Sequence, residues 1–317
     1  MRTCFLFPGQ GSQTVGMGKS LYDAFDEVKR LYNEASAVLG YDVAELSFNG
    51  PAEELNKTHR TQPCLLTASL AAFTALSLKN SAPAAVAGHS LGEYSALVAA
   101  GSLSFRDAVR ITETRGKIMQ EAVPEGAGLM AAILGLERRA IDEVCRGVSS
   151  GYVSVANYNC PGQTVISGER KAVEEAMGRL KEAGAKRAVP LAVSVPSHCA
   201  LMEEAGRRFE AALGEVPLRD AQIPFVNNTG ARFVSDAGEI RESLVLQLSR
   251  SVLWEDCIRM IAASGITTFI EVGPGKVLSG LVKRIEPAAV ILNVEDTESL
   301  DATAARVTAQ EPPVNRQ

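Results

Sequence analysis

The chain has 317 residues, 46% of them hydrophobic, and a mean hydropathy of +0.05, so it is long enough to bury a full core and to divide into two domains. Its net charge of −5 argues against a nucleic-acid-binding protein, which usually carries a basic surface. No apolar run approaches the roughly 18 residues of a membrane span, and the N-terminus lacks the apolar stretch of a signal peptide. The six scattered cysteines predict free thiols, no metal site and a cytoplasmic protein.

Short β-rich runs alternate with longer amphipathic runs, a pattern that predicts a mainly parallel sheet covered by helices. The first strand is expected to begin almost at once and to end in a turn-forming loop at 8–13. Helices are predicted over 21–38, where apolar residues share one face, and over 63–78, where a proline opens the helix. The apolar run 84–87 predicts a short buried strand.

The segment 88–92, Gly-His-Ser-Leu-Gly, matches the G-x-S-x-G nucleophile elbow, with a predicted strand before it and a helical pattern after it. Such a turn exposes the serine hydroxyl, and glycines on both sides avoid collisions with the neighbouring strand and helix. The first amides of the following helix point towards an oxygen that becomes negatively charged. We therefore predict that Ser90 is a nucleophile, rather than part of a chance glycine–serine turn.

The middle of the chain has a different order of elements. Strands are predicted over 129–134, 152–156, 164–167 and 187–195, and helices over 137–146 and 173–180. The order βαββαβ is typical of a ferredoxin-like domain. We expect this small domain to occupy 125–196, with hinges near Gly126 and 190–196, inserted into a larger domain formed by 1–124 and 197–298.

The larger domain is expected to resume with strands over 224–227 and 268–272. The last segment, 299–317, has little apolar surface to bury and is predicted to be a flexible tail.

A serine hydroxyl is a weak nucleophile until a base removes its proton, and the chain contains three histidines. His89 adjoins Ser90, so its side chain should leave the turn in another direction, and His59 is predicted to be a solvated loop residue. Elimination leaves His198 as the base. More than a hundred residues follow it, whereas an ordinary α/β-hydrolase places its histidine near the chain end. No acid stands out as a third member, and a backbone carbonyl could fix the imidazole tautomer instead.

Several motifs in a fixed order resemble the malonyl-CoA:acyl carrier protein transacylase family of fatty acid synthesis, to which the acyltransferase domains of polyketide synthases are related. The motifs cover nearly the whole chain and are FPGQGSQ at 7–13, GHSLGEY at 88–94, RGKIMQ at 115–120, ANYNCPGQ at 156–163, VPSH at 195–198 and EVGPGKVL at 271–278.

This resemblance implies an α/β-hydrolase-like large domain with a mainly parallel sheet and an inserted ferredoxin-like small domain. It also implies transfer of a malonyl group from malonyl-CoA to the phosphopantetheine thiol of holo acyl carrier protein, without a cofactor. The transfer would follow a ping-pong course through an ester on Ser90.

The resemblance further assigns roles to individual residues. His198 would act as base and then as acid, and the main-chain carbonyl of Gln247 would orient it. The backbone amides of Gln10 and Leu91 would form the oxyanion hole. Leu91 and the Pro-Ser-His context of His198 also resemble malonyl-selective members of the family.

Arg115 and Met119 would belong to the substrate site. An arginine on an amphipathic helix is by default a solvated residue, but its motif favours a partner for the free carboxylate of the malonyl group. The planar guanidinium can hold a carboxylate through two hydrogen bonds.

Other functions stay open on the sequence alone. The chain could be a discrete acyltransferase of a polyketide synthase or of a malonate decarboxylase, or a serine acyl-hydrolase that uses the same site. A non-catalytic binding module is disfavoured because Ser90, His198 and Arg115 are all intact. We expect a monomer that binds malonyl-CoA and a carrier protein, with no nucleic-acid or membrane partner.

Overall fold

The computed structural model describes residues 2–124, 126–191 and 195–308. The first part of the chain contains two strands and seven helices. In chain order they are β1 (Thr3–Phe7), α1 (Lys19–Ala24), α2 (Asp26–Leu39), α3 (Val43–Asn49), α4 (Ala52–Leu55), α5 (Thr58–Leu78), β2 (Ala85–Gly88), α6 (Gly92–Ala99) and α7 (Phe105–Glu121).

The middle part contains four strands and two helices, in the predicted order βαββαβ. They are β3 (Gly128–Leu134), α8 (Arg138–Arg146), β4 (Val153–Cys160), β5 (Gln163–Glu169), α9 (Arg170–Glu182) and β6 (Arg187–Pro190).

The last part begins with a short 3-10 helix, Ala200–Met202. It continues with α10 (Glu203–Gly214), β7 (Phe225–Val226), β8 (Phe233–Val234), α11 (Ala237–Leu246), α12 (Trp254–Ala263), β9 (Thr268–Val272), α13 (Val277–Ile285), β10 (Val290–Val294) and α14 (Thr297–Thr308).

Six strands form a sheet in the order β10-β9-β1-β2-β7-β8. All neighbouring pairs are parallel except β7 and β8, which are antiparallel. The side chains of β1 alternate between two cores: Phe5 and Phe7 pack on one side of the sheet, and Cys4 and Leu6 on the other. A strand buried on both faces is typical of a parallel sheet covered by helices, and the predicted mainly parallel α/β architecture is confirmed.

The other four strands form an antiparallel sheet in the order β4-β5-β3-β6. One face packs on α8 and α9 through a core that includes Ile133, Ile141 and Val173. The opposite face carries the small apolar cluster of Met130, Ala156 and Val165. This second face is turned towards the cavity described below.

Several predicted boundaries need correction. The helix predicted over 21–38 is two helices, because Phe25 adopts an extended conformation between α1 and α2. The helix predicted over 63–78 begins at Thr58, so Pro63 lies inside it rather than at its start. The strand predicted over 152–156 continues to Cys160. The predicted strand 187–195 ends at Pro190, and its residues 192–194, which also belong to the second predicted hinge, lie outside the described residues.

Helix α5 corrects the expectation that no segment approaches the length of a membrane span. It has 21 residues with a mean hydropathy of 1.3, enough by length and composition to cross a bilayer. However, 78% of its apolar window is buried inside the protein, where it packs against α2 and α7. Its composition is therefore explained by its place in the core.

The end of the described chain differs from the predicted flexible tail. Residues 299–308 form most of α14, which packs on β10 and α5. Leu300 is buried, and the Thr303 hydroxyl donates to the carbonyl of Asn293 over 2.8 Å. The remainder of the predicted tail, 309–317, lies outside the described residues.

Candidate active site

Ser90 occupies the sharp turn between β2 and α6, as the elbow pattern predicts. Its φ of +52° lies in the left-handed region, which non-glycine residues rarely adopt. A Cβ at Gly88 would overlap the backbone of Gly92, and a Cβ at Gly92 would overlap the carbonyl of Phe7. Both flanking positions therefore require glycine, because the strand, the turn and β1 are in direct backbone contact.

His198 lies beside this serine. Its Nε2 is 2.8 Å from the Ser90 Oγ, and its Nδ1 is 2.7 Å from the main-chain oxygen of Gln247. A carbonyl can only accept a hydrogen bond, so Nδ1 carries the proton and Nε2 presents a lone pair to the serine hydroxyl. The side chain of Gln247 is not involved in this bond.

The environment keeps this imidazole neutral. His198 is 4% exposed, and burial, with a further contribution from the positive charge of Arg115, lowers its pKa to about 3. A neutral imidazole whose Nε2 faces a hydroxyl at 2.8 Å is able to accept the hydroxyl proton.

Arg115 is carried by α7 and is only 1% exposed. Its two terminal nitrogens donate to neutral amide oxygens, from Nη1 to Gln62 over 2.9 Å and from Nη2 to Gln247 over 2.8 Å. Nη2 is also 3.4 Å from the Ser90 Oγ, and Nε has no partner. No carboxylate forms an ion pair with this guanidinium within the described residues. Burial lowers the pKa of Arg115, and Tyr94 and the Glu93 carboxylate oppose that shift. A buried positive charge with neutral hydrogen-bond partners therefore faces Ser90.

A cavity of about 220 Å³ opens in front of Ser90, between the two sheets. Loops and helices next to the large sheet line one side, and the second face of the small sheet lines the other. Residues of the site that line it include Gln10, Ser90, Arg115, Met119, Met130, Val165 and His198.

The family described as "Acyl transferase domain" matches residues 4–298. The chain belongs to this acyltransferase family, which includes the malonyl-CoA:acyl carrier protein transacylases. It is 52% identical over 283 residues to the malonyl CoA-acyl carrier protein transacylase of Escherichia coli K12, covering 89% of this chain and 92% of that one. The malonyl CoA-acyl carrier protein transacylase of Bacillus subtilis is 47% identical over 302 residues, covering 95% of each chain.

Two solved structures of similar proteins superpose closely on this chain. A malonyl-transacylase in complex with a type II PKS acyl-carrier protein superposes with a TM-score of 0.95 at 48% identity, covering 96% of this chain and all of that one. An acyl carrier protein S-malonyltransferase from Vibrio cholerae gives a TM-score of 0.93, also at 48% identity and with the same coverage.

The backbone N–H groups of Gln10 and Leu91 are the predicted donors of an oxyanion hole. Gln10 is in the loop after β1 and lines the cavity, and Leu91 directly follows Ser90. In the described parts of the chain, neither amide has a hydrogen-bond partner. Unpaired amides next to a nucleophile are available to an oxygen that gains negative charge.

Met119 lies one turn beyond Arg115 on α7 and lines the same cavity. Its sulfur accepts a weak hydrogen bond from Gln62 Nε2 over 3.6 Å. The side chain of Gln62 therefore connects the two residues predicted for the substrate site.

The remaining histidines have other partners. The Nε2 of His89 is 2.9 Å from Asn159 Oδ1, and its ring meets Trp254 edge-on at 5.3 Å, so the ring leaves the elbow in another direction, as expected. The interpretation of His59 as a solvated loop residue is wrong. It lies in the first turn of α5, half-buried, with Nδ1 3.1 Å from Gln120 Oε1.

The sequence analysis missed three buried polar residues that surround the site: Gln62, Glu93 and Asn228. Glu93 offers the clearest signal, since a carboxylate in the apolar segment Gly92–Ala99 is unusual. Gln62 and Asn228 are far from their partners in the sequence: Gln62 accepts a hydrogen bond from Arg115, 53 residues away, and Asn228 accepts one from Ser90, 138 residues away. The described residues contain no group of three or more acidic, histidine or cysteine residues arranged to hold a metal ion.

Proposed function

We propose that this acyltransferase moves a malonyl group from malonyl-CoA to the phosphopantetheine thiol of holo acyl carrier protein, through an ester on Ser90, for fatty acid synthesis. The observation that carries the proposal is the buried guanidinium of Arg115, which lies 3.4 Å from the Ser90 Oγ and has only neutral partners. Such a charge favours an acyl group that ends in a carboxylate.

In the first half-reaction, His198 Nε2 removes the Ser90 proton while Oγ attacks the thioester carbonyl of malonyl-CoA. The amides of Gln10 and Leu91 hold the oxyanion, and loss of one such donor typically costs about 3–4 kcal/mol. The C–S bond then breaks, and the imidazolium returns its proton to the departing thiolate of CoA.

The second half-reaction reverses these roles. The carrier thiol gives its proton to His198 Nε2 and attacks the Ser90 ester, and the same two amides hold the second oxyanion. Collapse breaks the bond between the acyl carbon and Oγ, which regains the proton from the imidazolium. The main-chain oxygen of Gln247 stabilises the imidazolium through Nδ1–H in both halves, which accounts for the lack of an acidic third member.

We also propose that the chain comprises an α/β-hydrolase-like domain, over 1–124 and 197–298, and an inserted ferredoxin-like domain over 125–196. The order βαββαβ and the antiparallel sheet β4-β5-β3-β6 support the second assignment. Helix α14 adds residues 299–308 to the first domain, because it packs on β10 and α5.

We infer a monomer acting in the cytoplasm, with no cofactor. One chain supplies the nucleophile, the base, the oxyanion donors and the guanidinium, so neither a second copy nor a bound group is needed for the chemistry. The six cysteines are all free and buried, which suits a reducing compartment.

The proposal is tested by incubating the protein with malonyl-CoA, with and without holo acyl carrier protein. We expect malonyl-carrier to accumulate and little free malonate to appear in the absence of carrier. Rapid release of malonate without carrier would instead identify an acyl-hydrolase that uses the same site.

A discrete acyltransferase for polyketide synthesis is the second candidate, because one similar structure is a malonyl-transacylase in complex with a type II PKS acyl-carrier protein. Parallel assays with a fatty acid carrier and a polyketide carrier separate the two functions, since the chemistry is the same and only kcat/KM for the carrier differs. The same comparison with the carrier subunit of a malonate decarboxylase tests the remaining alternative.

A further inference from the structure

Glu93 lies directly behind the nucleophile, in the first turn of α6, and is 0% exposed. One carboxylate oxygen accepts the backbone N–H of Asn228 over 2.6 Å, and the other accepts a hydrogen bond from Gln247 Nε2. Among the described residues, no lysine or arginine forms an ion pair with this carboxylate. Burial raises the pKa of this carboxyl to about 8, whereas its two hydrogen bonds and the positive charge of Arg115 favour the ionised form. A buried ionisable group is costly, so its two hydrogen bonds call for a specific explanation.

The first of these bonds fixes the elbow. The side-chain oxygen of Asn228 accepts the N–H of Ser90 over 2.7 Å, and its Nδ2 donates to the carbonyl of Gly88 over 2.8 Å. By holding the backbone of Asn228, Glu93 places the side chain that in turn holds the strained backbone of Ser90.

The second bond fixes the orientation of a side-chain amide. Gln247 Nε2 donates to Glu93 and also to the carbonyl of Ser90 over 2.9 Å, so its Oε1 faces Nη2 of Arg115 over 2.8 Å. The carbonyl oxygen of Ser90 only accepts hydrogen bonds, and so does Glu93 in its ionised form. A flipped amide would therefore set Oε1 against two acceptors and its NH₂ group against the guanidinium.

We propose that Glu93 is a positioning residue that aligns Arg115 with the nucleophile by fixing the amide of Gln247, and that it thereby contributes to selection of a carboxylated acyl group. Glu93 acts through Gln247 and does not contact the substrate. The inference rests on the proposed function, because it concerns how the carboxylate of a malonyl group is held.

The decisive variant is Glu93→Gln, which keeps the size of the side chain but supplies one acceptor and one donor. The N–H of Asn228 belongs to the backbone and keeps the remaining oxygen. The new NH₂ group then meets Gln247, whose amide turns its oxygen towards position 93 and its NH₂ towards Arg115.

The measurement is kcat/KM for acylation of Ser90 by malonyl-CoA and by acetyl-CoA. We expect the malonyl-to-acetyl ratio to fall about 10- to 100-fold in Glu93→Gln, the range for a lost hydrogen bond to a charged group. A ratio equal to that of the wild type would overturn the inference. An equal loss for both substrates would also overturn it, since it would leave Glu93 only a supporting role in the elbow.

Glu271→Gln is the matched control. Glu271 is equally buried, and its two oxygens accept the N–H groups of Leu278 and Ser279 over 2.9 and 2.7 Å. We expect this variant to lower the Tm without changing the malonyl-to-acetyl ratio. A similar fall of the ratio in Glu271→Gln would show that any buried glutamate has this effect, and would contradict a specific role for Glu93.

A second variant, Gln247→Met, deletes the amide and keeps the main-chain carbonyl that holds His198. It should lower the ratio by itself, and adding Glu93→Gln should then cause little further loss, because the two residues act as one unit. If Glu93→Gln does not fold, an unchanged ratio in Gln247→Met alone would overturn the inference. Failure of the wild type to become malonylated would instead refute the proposed function, so the two failures are distinguishable.

Discussion

Replacement of Arg115 by alanine removes the charge that distinguishes a malonyl from an acetyl group in the proposed mechanism. The guanidinium is buried, and two neutral amides hold it through Nη1 and Nη2. An acetyl group has no free carboxylate, so it makes no ion pair with Arg115 that the substitution could remove. The variant should therefore impair malonyl transfer and spare acetyl transfer.

The size of the effect follows from the burial of the charge. Removing one partner of a desolvated, hydrogen-bonded charge pair costs about 2–5 kcal/mol. Each 1.4 kcal/mol corresponds to a factor of about ten, so kcat/KM for Ser90 malonylation should fall about 30- to 4000-fold. The amide oxygens of Gln62 and Gln247 lose a donor at the same time, which should lower stability by about 1–3 kcal/mol.

The assay is rapid-quench measurement of acyl-enzyme formation with labelled malonyl-CoA and acetyl-CoA. Arg138→Ala serves as the control, since Arg138 forms ion pairs with Glu255 and Asp256 away from the nucleophile. The control should change stability and leave the substrate ratio intact. A malonyl-to-acetyl ratio that is the same in Arg115→Ala and in the wild type would refute the reasoning.

Three further predictions concern the fold and the base. Gly92→Ala should lower the free energy of unfolding, measured by urea titration, by about 1–3 kcal/mol, because the new Cβ meets the Phe7 carbonyl. Gly178→Ala on α9, where a Cβ has open space, should be neutral or stabilising in the same titration. His198 has a folded-state pKa of about 3 and an unfolded value near 6.5, so the unfolded state gains the proton first. As the pH falls from 6.5 towards 3, the stability of the wild type relative to His198→Gln should fall by up to about 1.4 kcal/mol per pH unit, and a pH-independent difference would contradict the assignment. Leu300→Ala should lower the free energy of unfolding by about 2–5 kcal/mol in the same titration, whereas no change is expected if this segment is a flexible tail.

The elbow at Ser90 was predictable from the sequence because its requirements are local. The turn at Ser90 needs a strand, two glycines and a helix within a short segment, and each leaves a signal in the chain. His198 was selected as the candidate base by elimination among three histidines, and the structure brings its Nε2 to 2.8 Å from Ser90 Oγ. The role of Arg115 depended on resemblance, because a helical arginine is usually solvated and its burial is a property of the tertiary structure.

The polar network behind the site could not be predicted in the same way. The network joins distant parts of the chain: Gln62 lies in α5, Asn228 follows β7, and Gln247 follows α11. Nothing in the local sequence of these residues shows which way their side-chain amides face. The missed strand β8 has only two residues, too few for a periodic pattern. Helix α14 was missed because Leu300 and Thr303 become buried only through packing on β10 and α5. Strand β10 was not predicted either, so the sequence offered no surface for this helix to cover.

In the proposed mechanism, Ser90 carries the malonyl group as an ester between the two half-reactions. Intact-protein mass spectrometry after brief exposure to malonyl-CoA detects such an ester. We expect one malonyl adduct on the wild type, none on Ser90→Ala, and loss of the adduct when holo acyl carrier protein is added. A malonyl adduct that persists in Ser90→Ala, or one that the carrier does not discharge, would contradict the mechanism.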